Sequence, residues 1–399
     1  MFKEKINTPS ELEFSVLLYN CFDFEISLQQ DFDINLNCQT NQDLARTLRM
    51  VEEMVMKYST TFNLMLRQAY GVLNITKELV DSCKHKRTKF GATLIEAFDN
   101  EGGANAPDAE SYTVFKPFFD IVINDHHRDF DPQRKHPATD FGDGRTHLLT
   151  DLDPDRKFVM STRIRCCRSI EGYPFNPCLT KEKYLEIEEK VKGVFETLKN
   201  DPELAGTYYP LQGMTKEVEN RLIADHVLFA KSEWLEKANA CQHWPAGRGI
   251  YYNAKKTFLI WVNEEDHLRI ISMESGGNVQ SVFERLIKGV KAIEAKLPFS
   301  RDDRLGWLTF CPSNLGTTVR ASVHIRLHQI SGSRDFKQLC SRRSLDIRGL
   351  QGETDEAVGG DYDISNKRRL GLTEFEAVKL MHTEVQHLIS LETQAQERN

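Results

Sequence analysis

The sequence predicts an α+β protein with a small helical N-terminal domain and a larger domain in which helices pack on an antiparallel sheet. The chain has 399 residues, more than the ~250–300 at which a single hydrophobic core usually stops growing. Between residues 41 and 86 apolar side chains recur at three- and four-residue steps, as on one face of a helix. After residue 155, short segments alternate apolar and polar residues instead, as strands do, with helical runs between them.

Composition narrows the functional classes. The net charge of -7 argues against general binding to nucleic acid or membranes, so any anion site must be local. No apolar run approaches the ~20 residues of a membrane span, and the opening MFKEKINTPSELEF has no export signal pattern. The nine cysteines form no zinc pattern and their odd number fits reduced thiols. We therefore expect a cytoplasmic protein.

Composition also suggests how the chain is divided. A loop-rich, charged stretch, DPQRKHPATDFGDGR, predicts an exposed linker and a domain boundary. The predicted segments are an extension without an assigned role, a helical domain, the linker and the larger domain, at residues 1–40, 41–130, 131–155 and 156–394.

Individual elements can be placed within these segments. Asn100–Asp108, NEGGANAPD, is a predicted loop, and Asp108 is the expected N-cap of a helix over Ala109–Asp120. In the larger domain the expected strands are KFVMSTRIRCC, TFLIWV, HLRIISM, GWLTF and TTVRASVHIRL, and the expected helices include KEKYLEIEEKVKGVFETL and NVQSVFERLIKGVKAIEAKL.

Several arginines lie on predicted strands or at their ends: Arg163, Arg165, Arg269, Arg320 and Arg348. Residues two apart in a strand share a face, as Arg163 and Arg165 do. Each arginine taken singly is more often explained by a surface ion pair, but five together favour an anion such as nucleotide phosphate. No glycine-rich phosphate loop of either common type is present, so the side chains themselves would hold the phosphates.

Carboxylates and a cysteine supply a second set of candidate groups. The NEED segment carries Glu264, Glu265 and Asp266 between two apolar strands, and Glu353 lies in a glycine-containing loop. Together with Cys311, carboxylates suit a cationic substrate while the arginines hold a polyphosphate. This layout fits phosphoryl transfer to a guanidinium nitrogen, in which positioning and fixed charge supply most of the catalysis.

Cys311 is ambiguous by itself. A lone cysteine is more often a small buried apolar residue than a reactive thiol. A hydrogen bond from Ser313 and the nearby arginines would favour the thiolate.

The motif CPSNLGT and its flanks resemble the signature of the phosphagen (ATP:guanidino) kinases. The resemblance covers roughly residues 75 to 390, including STRIRCCRSIEGYPFNPCLT, GTYYPLQGM, LIADHVLFAK, WVNEEDHLRIISM and YDISNKRRLGLTEFEAVK. It is stronger to the arginine kinase branch than to the creatine kinase branch.

This resemblance implies an eight-stranded antiparallel sheet among helices and a small helical N-terminal domain. It implies reversible phosphorylation of a guanidino substrate with Mg-ATP, giving Mg-ADP and buffering ATP. The magnesium ion is expected to be held mainly by nucleotide and water, with no protein ligand. The branch is mostly monomeric, so a monomer is expected here.

The resemblance also implies roles for individual residues. The nucleotide site is expected to comprise Arg163, Arg165, His226, Arg269, Arg320 and Arg348. The expected catalytic residues are Glu265, which orients the guanidinium and acts as base, Cys311 and Glu353, and these three also bind substrate. The substrate-specificity loop contributes Asn100, Glu101, Gly102, Gly103 and Asn105.

Departures from the family pattern fall mainly on the substrate side. Asn105 replaces a tyrosine and Glu101 a glycine in the specificity loop, whereas Glu353, typical of arginine kinases, is kept. Gln351 and Thr354 replace an arginine and a histidine, and Cys167 replaces a glycine beside Arg165.

Three functions stay open at this point. The leading one is an arginine kinase. The second is a kinase for another guanidino compound, such as taurocyamine, lombricine or glycocyamine, which Asn105 allows and Glu353 opposes. The third is a weakly active, nucleotide-binding regulatory relative.

Overall fold

The computed structural model describes residues 77–97, 104–128, 130–349 and 360–398. These fall into two compact units, the first reaching Asn105 and including Glu110–Asp125, the second comprising Ala106–Ala109 and the chain from His126 onward. The predicted extension and most of the predicted helical run over residues 41–86 lie outside the described residues. The proposed domain boundaries stay predictions.

The smaller unit is helical where it is described. Its helices are α1 (Lys77–Cys83), α2 (Ser111–Val114) and α3 (Lys116–His126), with a 3-10 turn at Ile95–Ala97. Aromatic and aliphatic side chains of α2 and α3 are fully buried: Tyr112, Phe115, Phe118, Phe119, Val122 and Ile123. Their apolar burial stabilises the two short helices, which would be marginal alone.

The predicted helix over Ala109–Asp120 is interrupted, and Asp108 is not its N-cap. The first helix is capped at Glu110, without a side-chain hydrogen bond, and ends at Phe115. The second begins at Lys116, so Pro117 stands in its first turn. Proline has no N–H to donate to the preceding turn, and this breaks the helical ladder at Phe115.

The larger unit contains an eight-stranded sheet in which every neighbouring pair is antiparallel. The predicted fold class is confirmed in this respect. The strands are β1 (Val159–Arg168), β2 (Gly206–Pro210), β3 (Gly249–Asn253), β4 (Phe258–Val262), β5 (Leu268–Ser275), β8 (Arg320–Arg326), β9 (Leu345–Arg348) and β10 (Asp361–Asn366). Their order in the sheet is β2-β3-β4-β5-β1-β8-β10-β9.

A separate two-stranded ribbon pairs β6 (Arg301–Asp302) with β7 (Gly306–Trp307). The predicted strand GWLTF is therefore only two residues long. After Trp307 the chain turns away to pack Leu308 and Phe310 in the interior.

Among the described residues of this unit, six α-helices accompany the sheet: α4 (Lys181–Leu198), α5 (Lys216–Ala224), α6 (Glu233–Lys237), α7 (Val279–Glu294), α8 (Phe336–Arg342) and α9 (Glu374–Glu397). Side-chain caps explain where the long ones begin. Thr180 and Asn278 accept hydrogen bonds from the first turns of α4 and α7, and Thr373 with Glu376 forms a capping box at α9.

The two faces of the central strands differ. Ile164 and Cys166 of β1, with Ala321 and Val323 of β8, join one apolar core with buried residues of α4, α7 and α9. Because side chains alternate along a strand, the intervening residues, including Arg163 and Arg165, project from the opposite face. The hydrophobic core thus fixes the sheet from one side. On the other face, Ile250, Leu259 and Ile271 of β3, β4 and β5 join a second, smaller apolar cluster, beside which the arginines of β1 lie.

The sequence predicted an exposed linker at residues 131–155, but part of this segment is buried. Phe141, Leu149 and Leu152 are buried in the core of the larger unit. These three apolar residues are scattered among Asp, Gly and Pro, so the composition of the segment indicated a loop and gave no sign that they are buried.

Candidate active site

Five arginines predicted from the sequence come together on the face of the sheet opposite the main hydrophobic core. Arg165 of β1 stands directly opposite Arg320 of β8 in the strand register. Arg269 of β5 is paired with Cys167 of β1, two residues from Arg165. Arg348 is the last residue of β9, not part of the following loop, and lies close enough to influence the pKa of Arg320.

Like charges make this cluster electrostatically strained. Burial lowers the pKa of Arg163 to about 9, and Arg165, Arg320 and Arg269 add to the effect. Burial also lowers the pKa of Arg320, with further repulsion from Arg165 and Arg348. Such a cluster favours a polyanion, whose oxygens accept from the guanidinium groups.

Two neighbours hold the cluster in place. Asp363 of β10 accepts a hydrogen bond from Arg320 at 2.8 Å. The Trp261 ring packs against both Arg163 and Arg269, with guanidinium-to-centroid distances of 5.7 and 5.5 Å. These contacts orient donors that would otherwise repel one another.

Glu265 is the carboxylate best placed for chemistry. It is buried and accepts from Arg269 on one oxygen and from Asn314 Nδ2, at 2.7 Å, on the other. The neighbouring Glu264 also pairs with Arg269, at 3.0 Å, and burial raises its pKa. Arg269 therefore joins the arginine cluster to the carboxylates.

Asp266 faces the interior behind Glu265. One of its oxygens accepts from the backbone N–H of Phe310 at 2.8 Å. Burial raises its pKa to about 7, and the Glu265 charge contributes. Asp266 thereby ties the hairpin that carries Glu265 to the chain leading into Cys311.

Cys311 opens a 3-10 turn, Pro312–Asn314, and its Sγ lies 3.1 Å from Ser313 Oγ. The expected thiolate is not favoured in the described structure. Burial and the Glu265 carboxylate raise the pKa of Cys311 to about 12, outweighing the Ser313 hydrogen bond. The neighbouring carboxylates, rather than the arginines, dominate the field at sulfur.

A glycine lets this turn pack closely. Gly316 has φ +97°, and a Cβ there would come within 2.2 Å of the Arg369 carbonyl oxygen. Only glycine fits both requirements without strain. The predicted glycine turn therefore has a specific packing function.

Sequence reasoning missed Asn314 and Arg369. Arg369 donates to the Ser313 carbonyl at 3.0 Å and to Asn314 Oδ1 at 2.6 Å, and Asn314 in turn donates to Glu265. Burial lowers the pKa of Arg369 to about 9, with repulsion from Arg165 and Arg320. Asn314 was visible inside CPSNLGT and Arg369 inside NKRRLG, but their role depends on contacts across the fold.

Cys167, the residue in place of the family's glycine, is buried and contacts Arg165. The Arg165 Nη1 atom lies 3.2 Å from its sulfur. Burial raises the pKa of Cys167 to about 12, so the thiol is neutral.

The other predicted site residues are less closely joined. His226 is exposed, in a turn with φ 55°, and its backbone N–H donates to Ile223 O at 2.9 Å. The carbonyl of the next residue, Val227, accepts from Trp261 at 2.9 Å. Asn105 is buried, and its N–H donates to Ala97. Five predicted substrate-side residues lie outside the described residues: Asn100, Glu101, Gly102, Gly103 and Glu353.

The buried His267, next to the carboxylates, should make the folded protein less stable in acid. Its Nδ1 accepts from the Ile170 N–H at 2.9 Å, which makes Nε2 the protonated nitrogen that donates to Pro174 O at 3.0 Å. Burial lowers its pKa from 6.5 to about 4. Below pH 6.5 the unfolded chain therefore gains the proton first, and stability falls as pH drops toward 4, by ~3 kcal/mol for this group.

Denaturant midpoints of the parent and of His267→Gln between pH 7.5 and 4 would measure this effect. The variant should lose less stability on acidification than the parent. His328→Gln, at an exposed histidine, is the control and should follow the parent. Parallel pH profiles for the parent and His267→Gln would contradict the assignment.

Within the described ranges, no three His, Cys, Asp or Glu side chains are grouped as ligands for a metal ion. In the same part of the chain, no helix has the length and apolarity needed to cross a bilayer.

Comparison with known proteins gives consistent matches to one family. Residues 186–395 match the model of the ATP:guanido phosphotransferase C-terminal catalytic domain, and residues 72–124 match that of the N-terminal domain. A Caenorhabditis elegans protein named probable arginine kinase is 61% identical over 80% of this chain and 83% of its own length. The arginine kinase of Eriocheir sinensis is 54% identical over 81% and 92%, respectively.

Solved structures agree with these matches. A lombricine kinase superposes with a TM-score of 0.76 at 40% identity, covering 84% of this chain and 94% of that one. The substrate-free duplicated taurocyamine kinase of Schistosoma mansoni gives a TM-score of 0.76 at 42% identity over 83% of this chain. This chain spans about half of that duplicated protein, 47%. By sequence and by fold, the protein belongs to the ATP:guanido phosphotransferase family.

Proposed function

We propose that the protein is an arginine kinase, which reversibly transfers the γ-phosphoryl group of ATP to the guanidino group of L-arginine and yields phosphoarginine and ADP. Relatives that carry the name arginine kinase are 54–61% identical over about four-fifths of the chain. The observation that carries the proposal is the arginine cluster joined through Arg269 to the buried Glu265.

In this proposal the arginine cluster holds the nucleotide phosphates. Arg163, Arg165, Arg269, Arg320 and Arg348 supply the donors, and His226 lies at the nucleoside end. Burial lowers the pKa values of Arg163 and Arg320, and repulsion from the other arginines adds to this effect. A bound polyphosphate would relieve that repulsion. The same donors hold the transferred group as its P–O bond to ADP breaks.

Glu265 orients the acceptor guanidinium and accepts its proton. A guanidinium nitrogen forms the new N–P bond, the P–O bond to ADP breaks, and the N–H proton passes to the Glu265 carboxylate. Asn314 and Arg269 hold that carboxylate at both oxygens, so little reorganisation is needed during the reaction. Glu353 is proposed as the second carboxylate at this end.

Cys311 acts through its charge and position. Burial, together with the Glu265 carboxylate, raises its pKa to about 12. A bound guanidinium is an opposite charge beside the sulfur and therefore lowers that pKa. The thiolate then pairs with the substrate and directs the reacting nitrogen.

Magnesium is proposed to enter with the nucleotide. Phosphate oxygens and water would hold the ion, since Mg²⁺ usually keeps several waters and binds through substrate phosphates. When bound, it neutralises phosphate charge during transfer.

We also propose a cytoplasmic monomer. Free thiols at Cys166, Cys167, Cys311 and Cys340 fit a reducing compartment. The monomer follows from the resemblance to the arginine kinase branch.

A kinase for another guanidino compound is the second candidate. The structural matches to lombricine and taurocyamine kinases and the altered specificity loop favour it, whereas Glu353 favours arginine. The weakly active regulatory relative has the least support, because Glu265, Cys311 and the five arginines are all retained.

The decisive experiment measures ADP release from Mg-ATP with arginine, taurocyamine, lombricine, glycocyamine and creatine. We expect kcat/KM for arginine to exceed the others by about tenfold or more, since a carboxylate such as Glu353 that pairs with one substrate discriminates strongly against poorer partners. Cys311→Ser serves as a check that the activity belongs to this site.

Turnover on taurocyamine or lombricine with none on arginine would replace the proposal by the second candidate. Absence of turnover on every compound, with nucleotide binding intact, would support the regulatory relative.

A further inference from the structure

A cavity lies beside the catalytic turn, on residues with no assigned role. It has a volume of about 270 Å³. Its walls are formed by the end of α3 and the residues after it, by Arg304 after β6, and by the segments just before β9 and just after β10. We call it the linker cavity; its polar lining residues are His126, His127, Arg128, Asp131, Arg134, Lys135, His136, Arg304, Ser341, Ser344, Lys367 and Arg368. Its volume suits a small ligand.

Positive charge dominates this lining. Six arginine and lysine side chains face one carboxylate, Asp131, among the described lining residues. Lys135 also pairs with Asp303 at 2.8 Å, and Arg304 packs on Phe130 with 5.5 Å between guanidinium and ring centroid. In a chain of net charge -7, so strong a local excess indicates an anion partner.

Neutral polar side chains also line the cavity. His136 is buried to 8% exposure, and Nδ1 of its neutral ring donates to Pro137 O at 2.9 Å. Its Nε2 makes no hydrogen bond of standard geometry with the described residues, although the Arg369 carbonyl lies nearby. In this tautomer Nε2 is an acceptor, so the donors for an anion come from the arginine and lysine side chains and not from His136. Ser341 and Ser344 also line the cavity and carry hydroxyl groups that can donate to a ligand oxygen.

The linker cavity and the arginine cluster share no residue. Ser344 and Lys367, joined by a backbone hydrogen bond of 2.8 Å, mark the end of the β9–β10 pair at the cavity, whereas Arg348 marks the other end of β9. Arg369 stands between the two sites. Its side chain approaches Arg165 and Arg320, while its neighbours Arg368 and Leu370 line the cavity.

The cavity also touches the turn that carries Cys311. His127, on its wall, contacts the Pro312 carbonyl through Nε2 at 3.0 Å. Burial lowers the pKa of His127 to about 4, so this ring is neutral near pH 7 and Nε2 donates the proton. An occupant would therefore rest against a residue that positions the catalytic turn.

We propose that the linker cavity is a second anion site, which binds a small oligophosphate group separately from the nucleotide site. Arginine forks match phosphate oxygens two at a time, and several cations close together require a multiply charged ligand.

Calorimetric titration of the full chain with inorganic tripolyphosphate, without magnesium, tests this. The parent should show two binding events. Arg134→Glu with Lys367→Glu, both exposed side chains, should weaken one event by about tenfold or more and leave the other unchanged. Arg320→Ala should do the reverse, because it removes a donor of the nucleotide site.

Lys255→Glu, at an exposed lysine remote in sequence from both sites, is a charge-reversal control and should retain both events. Arginine kinase turnover of the double variant should equal that of the parent, which confirms folding. A single event abolished by Arg320→Ala, or two events unaffected by the double variant, would overturn the proposal. A single event in the parent that the double variant weakens and Arg320→Ala leaves unchanged would instead count against the proposed nucleotide site.

Discussion

Glu265→Gln should lower turnover by about three orders of magnitude, within the range for loss of a general base, while ATP affinity changes by less than about threefold. Glutamine keeps the size of the side chain and can still accept from Asn314. It cannot accept the guanidinium proton, and it removes the charge that pairs with the substrate. Steady-state kinetics with arginine and a nucleotide-binding titration measure the two effects separately.

Glu264→Gln is the matched control. Glu264 also pairs with Arg269, at 3.0 Å, but the described contacts do not join it to Asn314. We expect at most a tenfold loss of turnover, since only part of the support for Arg269 is removed. Equal losses in the two variants would show that charge balance around Arg269, rather than a base at Glu265, sets the rate.

Arg168→Ala should destabilise the protein by ~3–5 kcal/mol, the usual cost of breaking a buried ion pair from one side. Its side chain is fully buried, bonds Glu294 at 2.8 Å and packs over Trp307 at 4.2 Å. It also donates to Cys167 O at 2.8 Å and Thr318 Oγ1 at 3.1 Å. Without this side chain, Glu294 and the Cys167 carbonyl lose a hydrogen-bond donor, and a cavity remains where the side chain packed.

Arg145→Ala provides the comparison, because Arg145 also pairs with a carboxylate, Asp140, and packs on an aromatic ring, Phe375, but at the surface. That variant should lose no more than ~1 kcal/mol. Urea unfolding of the three proteins, monitored at the same wavelength, gives the comparison. Similar midpoints for Arg168→Ala and Arg145→Ala would show that burial of the pair contributes little.

Local patterns predicted the elements well where one helix or strand determines its own shape. The helix α4 has the predicted bounds, because an amphipathic period and the Thr180 cap coincide there. The shared face of Arg163 and Arg165 followed from strand alternation alone. The Ala109–Asp120 helix was wrong because Pro117 outweighed the helical pattern.

Long-range relations could not be predicted in the same way. The pairing of Arg165 with Arg320 depends on register between strands far apart in sequence. The pKa of Cys311 depends on burial and on Glu265, neither of which CPSNLGT contains. The part played by Asn314 and Arg369 is visible only in the structure, where their hydrogen bonds connect three segments that are far apart in the sequence.

The facing arginines of β1 and β8 have a thermodynamic consequence. Like charges opposite each other weaken a sheet, so the unliganded protein holds free energy in its own strand pairing. A polyphosphate that binds only the folded chain releases this energy and shifts the folding equilibrium by linkage. Bound nucleotide then stabilises the sheet as well as taking part in the reaction. The unliganded protein is correspondingly less stable, and its affinity for phosphate is higher.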